Sequence, residues 1–420
     1  MKSRTTLTLT FSLLLLVTGG SPGAAAASRA DLSRLVVVGD SLSAGFQNGS
    51  LLDRQQVHGY AALLAAQAGV PLPLPLIAAP GIPSVLTLVD PGPPPALARE
   101  PGVSTGRLDP TAPVMNLAVP GATVADALHA RPDCAFDDLT DLILGLPEPC
   151  LFGGLARSQV EWAAALGPTT ILVWLGNNDA LGAALAADAT RLTPVASFEA
   201  DYAEVLDRLA VTGATLVMAT IPDVSVIPFL TPAEAVAVLV GAPLPTLGAL
   251  LGLAPGDFVT PDAFGLIGGI LAGLVPGPLP DSVVLTAAEV ATIREATDAY
   301  NAVIASHAAA RGAVLVDIHG LLERARGRGI VTGGQRLTTA FLGGLFSLDG
   351  IHPTDTGYAV IANAFIHALD AQAGAGIPPL PVRDVQRADP LVLPGVGHPA
   401  SALGHVTPET AASLRAVLGH

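Results

Sequence analysis

Four short stretches of this chain carry residues able to do acyl-transfer chemistry, and each follows or flanks an apolar run. Ser41 lies in Gly39-Asp40-Ser41-Leu42, directly after Leu35-Val36-Val37-Val38. A buried parallel strand reads as such a run, and ligands gather at the carboxyl ends of strands in open α/β sheets. A serine hydroxyl there is placed for nucleophilic attack but needs a base and an anion-stabilising pocket. Gly121, in Asn116-Leu117-Ala118-Val119-Pro120-Gly121-Ala122-Thr123, can leave its backbone N–H free for a developing oxyanion. Asn178, in Gly176-Asn177-Asn178-Asp179, offers an amide donor that adds no charge. His352, in Asp349-Gly350-Ile351-His352-Pro353, can take the serine proton, with Asp349 fixing its tautomer. Taken singly, each stretch is equally a turn built from Gly, Asn, Asp and Pro.

The elements that must bring these residues together are legible as alternating runs. Strands are expected at Leu35 to Gly39, Val114 to Leu117, Thr170 to Leu175, Thr215 to Thr220 and Ala313 to Asp317. Ala-rich helical stretches lie between them: Ser158 to Leu166, Phe198 to Val211 and Thr286 to Ala310. Thr286 and Glu289 have capping-box spacing, and an apolar helix is expected from Gly357 to Leu369. Strand and helix in alternation predict a parallel sheet covered on both faces.

Two regions break the pattern. Pro71 to Pro113 reads as a long Pro- and Gly-rich surface excursion. Ser225 to Leu285 is strongly apolar, and Ala235 to Gly256 and Ala263 to Pro280 contain no charge. Each has the length of a membrane span. Pro243, Pro245, Pro276 and Pro278 break them into short pieces, and one crossing would separate motifs that must meet. Short helices forming a lid or an apolar pocket wall are expected, with extra core helices an equal alternative. As pocket contacts the sequence suggests Leu250, Leu251, Phe264 and Ile267.

Met1-Lys2-Ser3-Arg4, the apolar stretch Leu7 to Val17 and Ala24 to Ala27 describe a secretory signal peptide over residues 1–27. A secreted or periplasmic chain is expected, with a retained anchor the lesser alternative. Removing Lys2 and Arg4 takes the formal charge from -15 to -17, which disfavours nucleic acid as a partner. Cys134 and Cys150 are the two cysteines and are expected to pair in an exported protein. Without clustered histidines they make no zinc site. Gln372 to Pro399 carries many prolines and reads as extended, and an extension over residues 384–420, with a helix start at Thr407-Pro408-Glu409, is expected to pack back on a domain of residues 28–383.

The four motifs in this order resemble the GDSL, or SGNH, family of serine hydrolases, over about Leu35 to Leu369. The resemblance implies a flavodoxin-like three-layer sandwich around a five-stranded parallel sheet. It implies a triad of Ser41, His352 and Asp349, and an oxyanion hole from the Ser41 and Gly121 N–H groups with the Asn178 side chain. Ala118 stands where the second motif often has a further glycine, and the excursion and the insertion exceed a minimal member. The resulting expectation is a secreted esterase or lipase acting through an acyl-enzyme, with neither metal nor organic cofactor. Its substrate would be a small-molecule or lipid ester, and the apolar insertion leaves peripheral contact with a lipid surface open. The enzymatic alternative is a carbohydrate O-acetylesterase, and the non-enzymatic one a catalytically silent extracellular binding module.

Overall fold

The computed structural model describes residues 29–90, 96–392, 407–409 and 415. Residues 1–27, read as a signal peptide, lie outside the described residues, as does most of the tail beyond 392. The strands β1 (Leu35–Gly39), β2 (Thr170–Trp174), β3 (Thr215–Ala219) and β4 (Val314–Val316) form one parallel sheet in that spatial order. Leu35 pairs with Thr170 and Gly39 with Trp174, so β1 and β2 end side by side. Leu35 to Val38 are completely buried. That is why they read as an unbroken apolar run rather than an alternating one.

The fifth expected strand, 114–117, is corrected by the structure. The segment runs parallel along the free edge of β1, where Val37 N–H donates to Met115 O at 2.9 Å and Leu117 N–H to Val37 O at 3.0 Å. It nevertheless makes only the single bridge Val37–Asn116. Pro113 and Pro120 bracket it, and the Met115 and Asn116 N–H groups are both taken by Pro73 O from the excursion. The ladder therefore cannot extend. Even so, β1 has a neighbour on each side, and the chain turns opposite ways to reach them; ligands sit at such a switch point.

Helices follow the strand ends: α1 (Ser41–Ala44), α2 (Val124–His129), α3 (Asn177–Ala186), α4 (Ile318–Arg328) and α5 (Asp355–Ala373). Tyr60–Ala68 packs against α5, which also packs on β4. Val195–Ala210 packs with α2, Gln159–Ala165 and the long helix Ala287–Arg311. The Thr286–Glu289 capping box forms, Glu289 accepting the Thr286 N–H at 2.9 Å. The Cys134–Cys150 disulfide is present, with Cα atoms 5.3 Å apart.

The insertion after β3 folds on itself. Helices Ala233–Val240, Leu244–Leu251 and Ala263–Leu271 surround a ribbon of Thr231–Pro232, Phe258–Val259 and Val284–Leu285. Ala233, Val236, Leu247, Leu251, Val259 and Ile267 form a core separate from the main one. No described helix is long and apolar enough to cross a membrane. The first two insertion helices together have the length and composition, but they bend by 101° at the break before Pro243 and Leu244. At the other end of the chain, Val382–Ala388 packs on α5, and buried Asp389 accepts the Thr356 N–H at 2.8 Å. Arg415 reaches Asp262 of the insertion at 2.6 Å.

Candidate active site

Ser41 is the first residue of α1, so its N–H has no intrahelical acceptor. Asp40 caps this helix: one carboxylate oxygen accepts the Leu42 N–H at 3.0 Å, and the other accepts Asn177 Nδ2 at 2.8 Å. Asp40 is fully buried, and burial pushes its carboxyl up to about 6 although both hydrogen bonds pull the other way. Behind it, Gly39 N–H donates to buried Gln159 Oε1 at 3.0 Å, fixing where the strand ends and the turn begins.

The second and third motifs come together beside this turn, where Val119 N–H donates to Gly39 O at 3.1 Å. Gly121 has φ of +87°, a conformation that disfavours other residues, and its N–H bonds to no described residue. Asn178 Nδ2 donates to Ala122 O at 3.0 Å, tying α3 to the Gly121 loop. An amide nitrogen carries two hydrogens, so one remains for an acceptor in the cleft. The next residue, Asp179, accepts the Val124 N–H at 3.1 Å at the start of α2. Its carboxyl too is pushed up to about 6, chiefly by burial. The first turn of α3 thus grips two segments, the Asp40 turn and the stretch from Ala122 to Val124, with three consecutive side chains, Asn177, Asn178 and Asp179.

His352 and Asp349 are both fully buried, and Nδ1 lies 3.0 Å from Asp349 Oδ2. Burial alone would raise the Asp349 carboxyl. The attraction of His352, its ring hydrogen bond and the N–H groups of His352 and Ile351 hold it below the usual carboxylate range instead. A further donor comes from the opposite end of the sequence: Gly49 N–H at 2.7 Å from Asp349 Oδ2. Asn48 N–H donates to Ser347 Oγ and its Oδ1 accepts the Leu348 N–H, both at 3.0 Å. The Phe46 ring lies 4.6 Å from the imidazole, and Tyr358 OH donates to Phe46 O. The remaining imidazole nitrogen, Nε2, is buried and has no hydrogen-bond partner among the described residues.

Ser41, Asn178 and His352 line one cleft of about 790 Å³, open to solvent. Apart from these three, Asn177 and Gly357, the lining is apolar: β2 supplies Trp174, the turn after β3 supplies Val224 and Ile227, and α4 supplies Leu322. No hydrogen bond joins Ser41 to His352; a serine–base bond commonly tightens only once substrate is present. The structure corrects the expected pocket contacts. Leu250, Leu251, Phe264 and Ile267 are absent from the lining. Leu251 and Ile267 are buried in the insertion's own core, Phe264 packs against that core, and Leu250 is exposed. The insertion's apolar helices satisfy one another, and of residues 225–285 only Ile227, at the very start, reaches the cleft.

The sequence reading missed Asp40 and Asn177 as positioning groups, the Asn48-Gly49 turn that braces Asp349, and most of the cleft wall. The Asn-Gly pair at 48–49 was a visible turn signal, but nothing local says which carboxylate it meets. Asp133, Asp137 and Asp141 bring carboxylate oxygens within 4.8 Å of one another. Asp141 already accepts the N–H groups of Asp133, Cys134 and Phe136, so the group braces the disulfide loop.

The family model described as GDSL-like Lipase/Acylhydrolase matches residues 35–365. No relative was found among curated proteins. Among solved structures, an α/β hydrolase from the metagenome of Lake Arreo, Spain, is 17% identical, with 82% of this chain and 95% of that one covered and a TM-score of 0.37. An acetyl xylan esterase from Geobacillus stearothermophilus is 13% identical, with coverages of 83% and 96% and a TM-score of 0.37. An extracellular lipase from Streptomyces rimosus is 15% identical, with coverages of 80% and 98% and a TM-score of 0.34. Scores in this range carry no argument about substrate.

Proposed function

Because the chain belongs to the GDSL-like lipase/acylhydrolase family and so is a carboxylic ester hydrolase, we propose that it acts on lipid or fatty-acyl esters through an acyl-enzyme on Ser41. Ser41 Oγ attacks the ester carbonyl carbon while its proton passes to His352 Nε2, the buried nitrogen left without a partner. Asp349 holds Nδ1–H, which keeps Nε2 as the acceptor and stabilises the imidazolium that forms. The carbonyl oxygen, now negative, takes the N–H groups of Ser41 and Gly121 and the spare Asn178 hydrogen. Collapse expels the alcohol, protonated by His352. Water, deprotonated by the same nitrogen, then frees the acid.

The observation that carries the substrate class is the wall of the cleft. Its polar lining residues are Ser41, Asn177, Asn178 and His352, and everything beside them is hydrocarbon or glycine. Such a surface gains free energy by burying an alkyl chain, whereas a sugar ring would leave its hydroxyls unpaired there. A p-nitrophenyl ester series from acetyl to palmitoyl, run beside acetylated xylan, tests this. Higher kcat/KM for the longer chains is expected. Preference for acetyl esters or for the xylan would overturn it in favour of a carbohydrate O-acetylesterase. Failure of a fluorophosphonate probe to label Ser41 in the folded protein would favour the silent binding module.

Export is part of the same proposal. It is supported by the charged start, apolar centre and alanine run of residues 1–27, and by the Cys134–Cys150 disulfide, which suits an oxidising compartment. An extracellular or periplasmic product whose N-terminus begins just after Ala27 is expected. Retention of the intact leader in a cytoplasmic product would overturn it.

A further inference from the structure

The chain carries a formal charge of -15 and only 20 lysine and arginine residues. Four of those, Arg324, Arg326, Arg328 and Arg336, fall between positions 324 and 336. Arg326 is spent on Glu323 at 2.5 Å and Asp223 at 3.8 Å. The other three line a second, shallow cleft of about 840 Å³ between the end of α4 and the hairpin Ile330–Thr332 with Gln335–Leu337. The two clefts share Ile330 and Val360, so an apolar strip is common to both.

The three guanidinium groups are largely unspent. Arg324 has Asp317 at 3.5 Å, both half-exposed, and such a pair is worth little. Arg328 and Arg336 have no carboxylate within 4.0 Å among the described residues. Arg336 donates one N–H to Arg328 O, closing the end of α4. An arginine has five donors, so most of its fork remains free. Its stem is held in place by lying over Gly329, which has φ of +67°. A Cβ at 329 would come within 2.8 Å of Arg336 Cγ and 2.5 Å of Leu337 O. Helix polarity favours Arg328 in the last turn and capping places Arg336, but neither draws in Arg324 nor uses up the forks that converge on this concavity in an acidic protein.

We propose that this cleft binds the phosphate group of an anionic amphiphile whose alkyl part lies along Ile330 and Val360. The proposal rests on the lipid-ester reading. Phosphate offers several charged acceptor oxygens to guanidinium forks, and the neighbouring hydrocarbon suits a chain attached to it.

The test compares the wild type with an Arg324→Gln/Arg328→Gln/Arg336→Gln variant on dioctanoyl phosphatidic acid and dioctanoylglycerol, which share their acyl chains and differ in the phosphate. KM for the phosphatidic acid should rise by about tenfold or more, with kcat/KM for the neutral ester within about twofold. Arg328→Gln alone strands no carboxylate and should give about a threefold rise. Inorganic phosphate that competes with the phosphatidic acid but not with the neutral ester identifies the anion itself as the ligand. No competition, with the KM effect intact, identifies the lipid headgroup. An unchanged KM for the phosphatidic acid, or equal losses on both esters, overturns the site. If the wild type hydrolyses neither ester, the lipid reading fails on its own. The cleft is then judged by calorimetric binding of dioctanoyl phosphatidic acid to Ser41→Ala with and without the three arginine changes. A Kd about tenfold weaker without the arginines supports the site, and equal Kd values overturn it.

Discussion

The carboxyl end of the sheet and the insertion after β3 are both apolar and both well packed, yet they are built on opposite plans. Around Ser41 the core accepts polar groups: Asp40, Asn177, Asn178, Asp179 and Asp349 each hold a backbone or side-chain partner, while Asn177 Oδ1, Asn178 Oδ1 and His352 Nε2 have none among the described residues. In the insertion a hydrocarbon core closes on itself, and its buried Asp257 is spent on backbone, accepting the Ala254 and Ala287 N–H groups. One region keeps polar atoms inside at a cost and directs them at a cleft. The other satisfies itself. Hydrophobicity therefore says that a segment is buried, while connectivity and neighbouring elements decide what it is buried against.

The contrast breaks most visibly at the nucleophile. Ser41→Ala should lower ester hydrolysis by about 1000-fold or more with the fold intact, because the side chain lines a cleft rather than filling a core. Near-normal turnover in the folded variant would remove Ser41 from the mechanism. Asn178→Ala should lower kcat by about 100- to 1000-fold with little change in KM, since its donor matters most in the transition state. A rise in KM at constant kcat would make it a binding contact instead.

A pair of substitutions sharpens the comparison between the regions. Leu251→Ala, deep in the insertion's core, should cost about 2–5 kcal/mol of stability in urea melts and leave the octanoyl-to-acetyl rate ratio unchanged. Ile227→Ala, in the cleft wall, should lower that ratio by about 3-fold or more. The reverse pattern would return the insertion to the acyl pocket.

A last expected effect concerns pH. Asp40 has its carboxyl raised by burial from 3.8 to about 6. Such an acid holds more protons folded than unfolded between about pH 4 and 6, so stability falls as pH rises through that window and is flat above it. Two pKa units correspond to about 3 kcal/mol. The stability of Asp40→Asn relative to wild type should therefore improve by about 2–3 kcal/mol between pH 4 and 7. The Asn177 Oδ1 atom, which has no partner among the described residues, can accept from the new amide if Asn177 inverts. A gap that does not change with pH would show that Asp40 carries no burial strain.

The sequence announced what repeats along the chain and was silent about what meets across it. The β1 run, the Thr286 cap and the motif residues Ser41, Gly121, Asn178, Asp349 and His352 were all readable, because strand periodicity, caps and turns are local. The edge segment at 114–117 fell short of a strand because Pro73, far away in the excursion, takes its N–H groups. The wall of the cleft was missed for the same reason: Val224 comes from the connection after β3, and Leu322 and Ile330 from the one after β4. A charge-free stretch as long as Ala263 to Pro280 drew attention to itself, but its partners turned out to be its own neighbours.

The bond from Gly49 to Asp349 spans 300 positions, and that from Tyr358 to Phe46 spans 312. Closing contacts so distant in sequence comes late in folding, after the local elements have formed. On the proposed mechanism, a chain growing from its first residue holds Ser41 while Asp349 and His352 are still unmade, and a product that stops short of residue 349 lacks the proposed base. Under that mechanism, synthesis and folding back of residues 349–358 must precede any activation of Ser41.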